Sequence, residues 1–271
     1  MTKTILSLLV LATSVFGQDM PTFKDYFDRA VKQGTERAAE IEQLIPVRDK
    51  AFTDLSEALN NPTPLKVRES FDRAWDAELK MGTMVFGCKS GAEQIRDNAK
   101  TALEYNQITR DQANDGIKLA SRMELLAKTG DEKSEQLTLH AKMINYAFKE
   151  SDRVIDNLKK AVDARKKAAE ELTKKIAEDN KVKIEVYADR MMAAHTVVIE
   201  VAKSGEQLRR LLYHSEYEWK ENRINEKQYD KAQQIMGKIK AADEMRWAPK
   251  DQLTLYGKVR GEAGLVEMVM K

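Results

Sequence analysis

From Leu137 the chain steps alternately by four and three residues through Leu137, Ala141, Ile144, Phe148, Ser151, Ile155, Leu158, Val162, Arg165, Ala169, Leu172, Ile176 and Asp179, and ten of these thirteen positions are apolar. Charged residues such as Lys159, Lys160, Lys166, Lys167, Glu170 and Glu171 fall between the steps. A strand would alternate every two residues, so this spacing specifies one helix with a single buried seam. Such a helix is about 45 residues long, a rod of roughly 65 Å at 1.5 Å per residue. An isolated helix of that kind is not stable in water without partners to cover its seam.

The partners are visible in the same spacing. Val67, Phe71, Ala74, Glu78, Met81, Val85, Cys88, Ala92, Ile95, Ala99 and Ala102 form a second seam, interrupted only by Glu78. A third runs through Tyr187, Met191, Ala194, Val198, Val201, Gly205, Leu208, Leu212, Ser215 and Trp219. An earlier seam uses Phe27, Ala30, Ile41, Leu44, Ala51, Leu55 and Ala58, and Pro46 inside it predicts a kink. The expected fold is therefore all-α: an elongated antiparallel helical bundle or coiled coil of about six helices. The composition agrees, with 12 Gly and 5 Pro in 271 residues.

Turn chemistry predicts the breaks. The stretch "NNPTP" at 60–64 ends the first helix, Gly130 ends the third, and "EDNK" around Asn180 separates the fourth from the fifth. Two further breaks are alike: "NQITRDQ" from Asn106 and "NRINEKQ" from Asn222, 116 positions apart. In each, an Asn can close a helix in the left-handed conformation and an Ile can plug the turn. Thr109 or Asn225 then caps the next helix, with Gln112 or Gln228 completing a capping box. A second phrase also recurs, "KSGAEQIR" at Lys89 and "KSGEQLR" at Lys203, 114 positions apart. Two similarities in the same order imply a duplicated three-helix unit, giving an expected division into 18–130 and 131–247 with a tail at 248–271. Gly91 and Gly205 within the KSG phrases are read as points of close helix crossing, because a helical glycine otherwise costs about 1 kcal/mol relative to Ala.

Residues 1–17 read as a secretory signal peptide: Lys3, the apolar run "ILSLLVLATSVF", and small residues before a cleavage point near Gly17. The expectation is an exported protein, secreted or periplasmic. Cys88 is the only cysteine, so no internal disulfide framework exists. Its place on a seam favours a buried thiol over one paired between chains. With 46 basic against 44 acidic residues, the field needed to hold nucleic acid is absent.

Candidate chemistry is sparse. His140, His195 and His214 lack zinc or di-iron spacing, and His195 lies on a seam as a packed core residue. No haem-attachment, hydrolase-elbow or phosphate-loop motif occurs. The reading is that the protein is not an enzyme, with no catalytic residue, metal or cofactor. The candidate contact residues are Met81, Met84, Val85 and Phe86 in "MGTMVFGCKSG", with Met191 and Met192 at the corresponding place of the second unit. Flexible methionine-rich surfaces adapt to varied apolar partners, which fits a protein client or a membrane. The opposing reading is that both stretches are well-packed core, since the heptad stepping passes through them in register. Beyond Ala248, Pro249 and three glycines break any long helix, and the apolar residues there are expected to dock on the bundle.

The segments "ITRDQ" at Ile108 and "INEKQYDKAQQIM" at Ile224 resemble the LTxxQ element of stress-induced periplasmic helical chaperones, with Ile at the first position of both and Asn225 at the second position of one. That resemblance implies an exported, disulfide-free protein that cradles unfolded clients. The expected function is protein binding or scaffolding, chaperone-like toward apolar clients, with self-association compatible with it. The alternative is a membrane-active protein of the pore-forming kind.

Overall fold

Helix ends fall where the turn residues put them. A computed structural model describes residues 21–131, 134–178 and 181–260. The signal-peptide stretch at 1–17, the Asn180 break and the apolar "LVEMVMK" segment lie outside the described residues. The described helices are α1 (Phe23–Asn60), α2 (Pro64–Glu104), α3 (Arg110–Gly130), α4 (Ser134–Ala177), α5 (Lys181–Tyr213), α6 (Ser215–Lys220), α7 (Glu226–Asp243) and α8 (Lys250–Arg260), with a 3₁₀ turn at Glu244–Arg246. No strand occurs among the described residues, and the protein is an all-α bundle. Pro46 stands inside α1, which is one unbroken helix.

The two similar turns have the same atomic design. Asn106 and Asn222 are the non-glycine residues with positive φ among those described, at 54° and 58°. Asparagine tolerates this region better than branched or bulky residues do. After Asn106, Gln107 N–H donates to Ala102 O at 2.8 Å and Asn106 N–H to Leu103 O at 3.0 Å. After Asn222, Arg223 N–H donates to Glu218 O at 2.8 Å and Asn222 N–H to Trp219 O at 2.9 Å. Both are Schellman closures, which satisfy carbonyls that the helix end leaves without partners. Ile108 and Ile224 are buried beside them. Thr109 and Asn225 then accept from the backbone of Gln112 and Gln228, whose side chains accept in return, so both capping boxes are complete.

The chain packs as two compact units. The first takes the residues up to Lys50 together with Trp75–Lys133; the second takes Ala51–Ala74 together with the residues from Ser134 onward. The boundary thus passes inside α1 and inside α2, and the 51–74 hairpin belongs with the second unit. A purely sequential division would keep all of 18–130 together.

In the first unit α1, α2 and α3 bury Phe27, Ile41, Met81, Cys88, Ile95 and Met123 in one core. Cys88 is a fully buried free thiol, and burial raises its pKa above the ordinary value. A Cβ on Gly91 would stand 2.9 Å from Met123 Cε and 3.0 Å from Arg37 Nη1, so the space over this glycine is filled by the ends of two long side chains rather than by the backbone of a crossing helix. At Gly205 in the second unit the corresponding neighbours are Ile239 Cγ2 at 3.4 Å and Val154 Cγ1 at 3.6 Å, ordinary contact distances. The two glycines face equivalent places: Met123 and Ile239 are 116 positions apart, and Arg37 and Val154 are 117 apart.

The third seam departs from expectation along its length: Ala188, His195 and Ala202 are buried, whereas Tyr187, Ala194 and Val201 are only partly so, and α5 stops at Tyr213 with α6 beginning at Ser215. Ser215 is buried, but Glu218 is buried in place of Trp219, which stacks on Tyr229 at a centroid distance of 5.0 Å and stays partly exposed. Gly257 does not break α8: it is a buried residue within that helix.

Candidate functional site

The methionine-rich stretch of α2 divides by face. Met81 and Val85 are buried, and a Cβ on Gly130 would meet Met81 Sδ and Val85 Cγ2, each at 2.8 Å. Those side chains therefore form the seat of the last residue of α3. Met84 is partly buried against the same core. Phe86 turns outward and is 75% exposed, and Leu79, two turns earlier on the same face, is 51% exposed. Gly82 between them has open space over its α-carbon. The result is an uncovered apolar stripe of Leu79, Gly82 and Phe86.

Met191 and Met192 are elsewhere. Met191 is buried in a core of the second unit with Ala169, Leu172 and Ala188, and Met192 is half-buried. Of the six residues singled out in the sequence, Met81, Val85 and Met191 fill cores, and Phe86 is the one that offers most of its surface to a partner.

Two buried polar clusters occupy the second unit. In one, His140 Nδ1 lies 2.6 Å from Glu218 Oε1, and both side chains are fully buried. Arg223 Nη1 sits 3.5 Å from Glu218 Oε2 and 3.2 Å from His140 Nδ1. The short contact to Glu218 needs the proton on or near Nδ1, so Arg223 acts on the carboxylate rather than on the imidazole. Phe71 meets the His140 ring edge-on at 5.4 Å and the His214 ring at 4.8 Å, and Phe52 lies 5.8 Å from His140. Burial lowers the pKa of His214 below its usual value. The sequence pattern missed Glu218 and Arg223. The signal lay in the second Schellman turn, where they hold the places that Ala102 and Gln107 hold in the first.

In the other cluster, Arg165, the charged residue inside the apolar α4 seam, caps a helix end. Its Nη1 donates to Arg246 O at 2.6 Å, and Nη2 donates to Met245 O at 3.1 Å and to Trp247 O at 3.2 Å. Burial lowers the guanidinium pKa. His195 Nδ1 lies 3.3 Å from Arg165 Nη1 and accepts from it, which places the imidazole proton on Nε2. Burial first, and the Arg165 charge second, hold His195 neutral below its usual pKa. In the first unit Arg48, also buried, donates from Nη1 to Gly130 O at 2.6 Å. Arg48 and Arg165 are 117 positions apart and cap the ends of helices at equivalent places.

Each buried cation is directed at helix-terminal carbonyls or at a buried carboxylate, and aromatic rings lie over the His140 pair. Among the described residues, no group of three or more His, Cys, Asp or Glu side chains is placed to hold a metal ion. No described helix is long and apolar enough to cross a membrane. A shallow groove of the second unit, bordered by Glu150, Arg153, Thr196, Val197 and Glu200, mixes acid, base and aliphatic groups without a converging set. Comparison with known proteins finds no match: no family model fits the chain, and no curated protein or solved structure is significantly similar to it.

Proposed function

We propose that this chain is an exported, non-enzymatic helical-bundle protein, a tandem of two related three-helix units, that works by binding protein through its helix faces. The observation that carries the reading is the Leu79–Phe86 stripe, a pair of large apolar side chains left in water in the middle of a long, well-packed helix. Aromatic anchors of this kind dominate the energetics of binding surfaces. Support also comes from the buried ionisable groups, whose partners are internal, so none is poised toward an open cleft. The clients that fit are apolar, partly unfolded segments, in line with a chaperone-like scaffold.

The test is suppression of aggregation. The mature protein at stoichiometric excess should reduce light scattering from a reduced, unfolding client, and Leu79→Glu with Phe86→Glu should abolish most of that effect while leaving helix content unchanged. No suppression by the unaltered protein would overturn the reading. The membrane-active alternative requires Met81 and Val85 to leave the seat of Gly130, and withdrawing buried side chains of this size costs about 1.5–3 kcal/mol each. Dye release from liposomes at submicromolar protein would favour that alternative.

A further inference from the structure

The helix α8 repeats the opening of α4. The sequence of α4 begins "SEQLTLHAKMI" at Ser134, and that of α8 reads "KDQLTLYGKVR" from Lys250, the same phrase 116 positions later. Gln, Leu, Thr, Leu and Lys are identical in the two, and Glu/Asp, His/Tyr, Ala/Gly and Met/Val are matched pairs. This spacing equals the one that separates the two Asn turns.

The seats of the two phrases also correspond. The opening of α4 meets the 51–74 hairpin, where Phe52 and Phe71 contact His140. Phe52 lies eight residues before the end of α1, and Phe71 seven residues after the start of α2. On the hairpin made by α4 and α5, the residues eight before the end and seven after the start are Ala169 and Ala188. Both are buried in the cluster against which Leu255, Tyr256 and Val259 of α8 pack. Tyr256 is the counterpart of His140.

We propose that each long hairpin tip is a socket for the opening turns of a module-type helix, and that α8 is a third copy of that opening, resident in the socket of the α4–α5 hairpin. The specificity of each socket is set by size. Two phenylalanines accept the smaller imidazole at the first, and two alanines leave room for the larger phenol ring at the second. The sockets are therefore alike in backbone design and exclusive in side-chain fit, so that α8 belongs to the second and the α4 opening to the first. This goes beyond the binding role of the Leu79–Phe86 stripe and stands independently of it.

Hydrogen exchange of the 250–260 amides in the full-length protein reads occupancy of the socket. Tyr256→His should leave a void and lower their protection at least tenfold, and Tyr256→Phe should leave it within threefold of the unaltered protein. Ala188→Phe should expel the Tyr256 ring and lower protection similarly. The double variant Ala188→Phe with Tyr256→His, which rebuilds the first socket's pairing in the second, should recover protection to within threefold. A double variant no better protected than the worse single one would overturn the size code. Equal loss in Tyr256→Phe and Tyr256→His would also overturn it. The comparison of the two Tyr256 variants alone decides the matter if Ala188→Phe does not fold.

Discussion

Replacing Arg165 by Met should destabilise the protein by about 3–5 kcal/mol, the range for removing one member of a buried polar set. Met keeps much of the aliphatic stem, so the loss is concentrated in the three carbonyls of Met245, Arg246 and Trp247, which accept at 3.1, 2.6 and 3.2 Å. Hydrogen bonds from a charged donor contribute about 1.5–3 kcal/mol each, and the relief of a desolvated guanidinium offsets part of their sum. Arg48→Met is the internal control. It removes one carbonyl contact, to Gly130 at 2.6 Å, and two bonds to the Oδ1 of Asp49, whose side chain is mostly exposed. Its cost should be about 1.5–2 kcal/mol. Urea unfolding followed by circular dichroism measures both, and exchange of amides 244–248 locates the first. In Arg165→Met the His195 pKa should also move back up toward the ordinary histidine value, because one of the two causes that depress it is gone. A cost for Arg165→Met below 1 kcal/mol, or one equal to that of Arg48→Met, would refute the idea that the guanidinium holds this helix end.

Gly82→Ala and Gly237→Ala should each stabilise by up to about 1 kcal/mol, since nothing lies within 4 Å of the added methyl group, and thermal unfolding will show it. Gly116→Ala should destabilise by about 1–3 kcal/mol in the same assay, because its Cβ would fall 2.7 and 2.9 Å from the buried Phe27 ring. His195 and His214 have depressed folded pKa values, so the unfolded chain takes up their protons first as pH falls below about 6.5. Stability should therefore drop from that pH down to the folded values, by at most about 1.4 kcal/mol per pH unit for each histidine, and His195→Gln should flatten the urea midpoint between pH 7 and pH 5. Asn106→Gly and Asn222→Gly should be near neutral, whereas Asn106→Ala and Asn222→Ala should each cost about 1 kcal/mol in denaturant unfolding for forcing a Cβ into positive φ.

Local geometry was the legible part of the sequence. Every step from Val67 to Ala102 is buried except Glu78, which is partly so, because side chains three and four apart must share a face. The Asn turns were legible for the same reason: their hydrogen bonds close within six residues. What the pattern could not carry is what distant residues decide. The 51–74 hairpin reads as part of the first unit until its contacts with His140 and His214, 69 to 143 positions away, are known. Met81 and Val85 look like a contact surface when counted by type, yet the seam that contains them already placed them inward. Glu218 is buried in place of Trp219, as Ala188, His195 and Ala202 are in place of Tyr187, Ala194 and Val201, and nothing in the local alternation announces a buried carboxylate whose partner is His140. Gly257 reads as a breaker by propensity, but docking of α8 outweighs the roughly 1 kcal/mol that a helical glycine costs.

The allotment of the 51–74 hairpin to the second unit bears on how the chain is made. Synthesis runs from the N-terminus at about 5–20 residues per second. Phe52, Leu55, Val67 and Phe71 thus emerge before the residues from Ser134 onward that complete their core. Until His140 and Glu218 have both been added, several seconds to about half a minute later at that pace, the tip of a finished hairpin has no cover. A nascent chain of this design carries a temporary adhesive patch through the middle of its own translation, and its yield should depend on how quickly the second half follows the first.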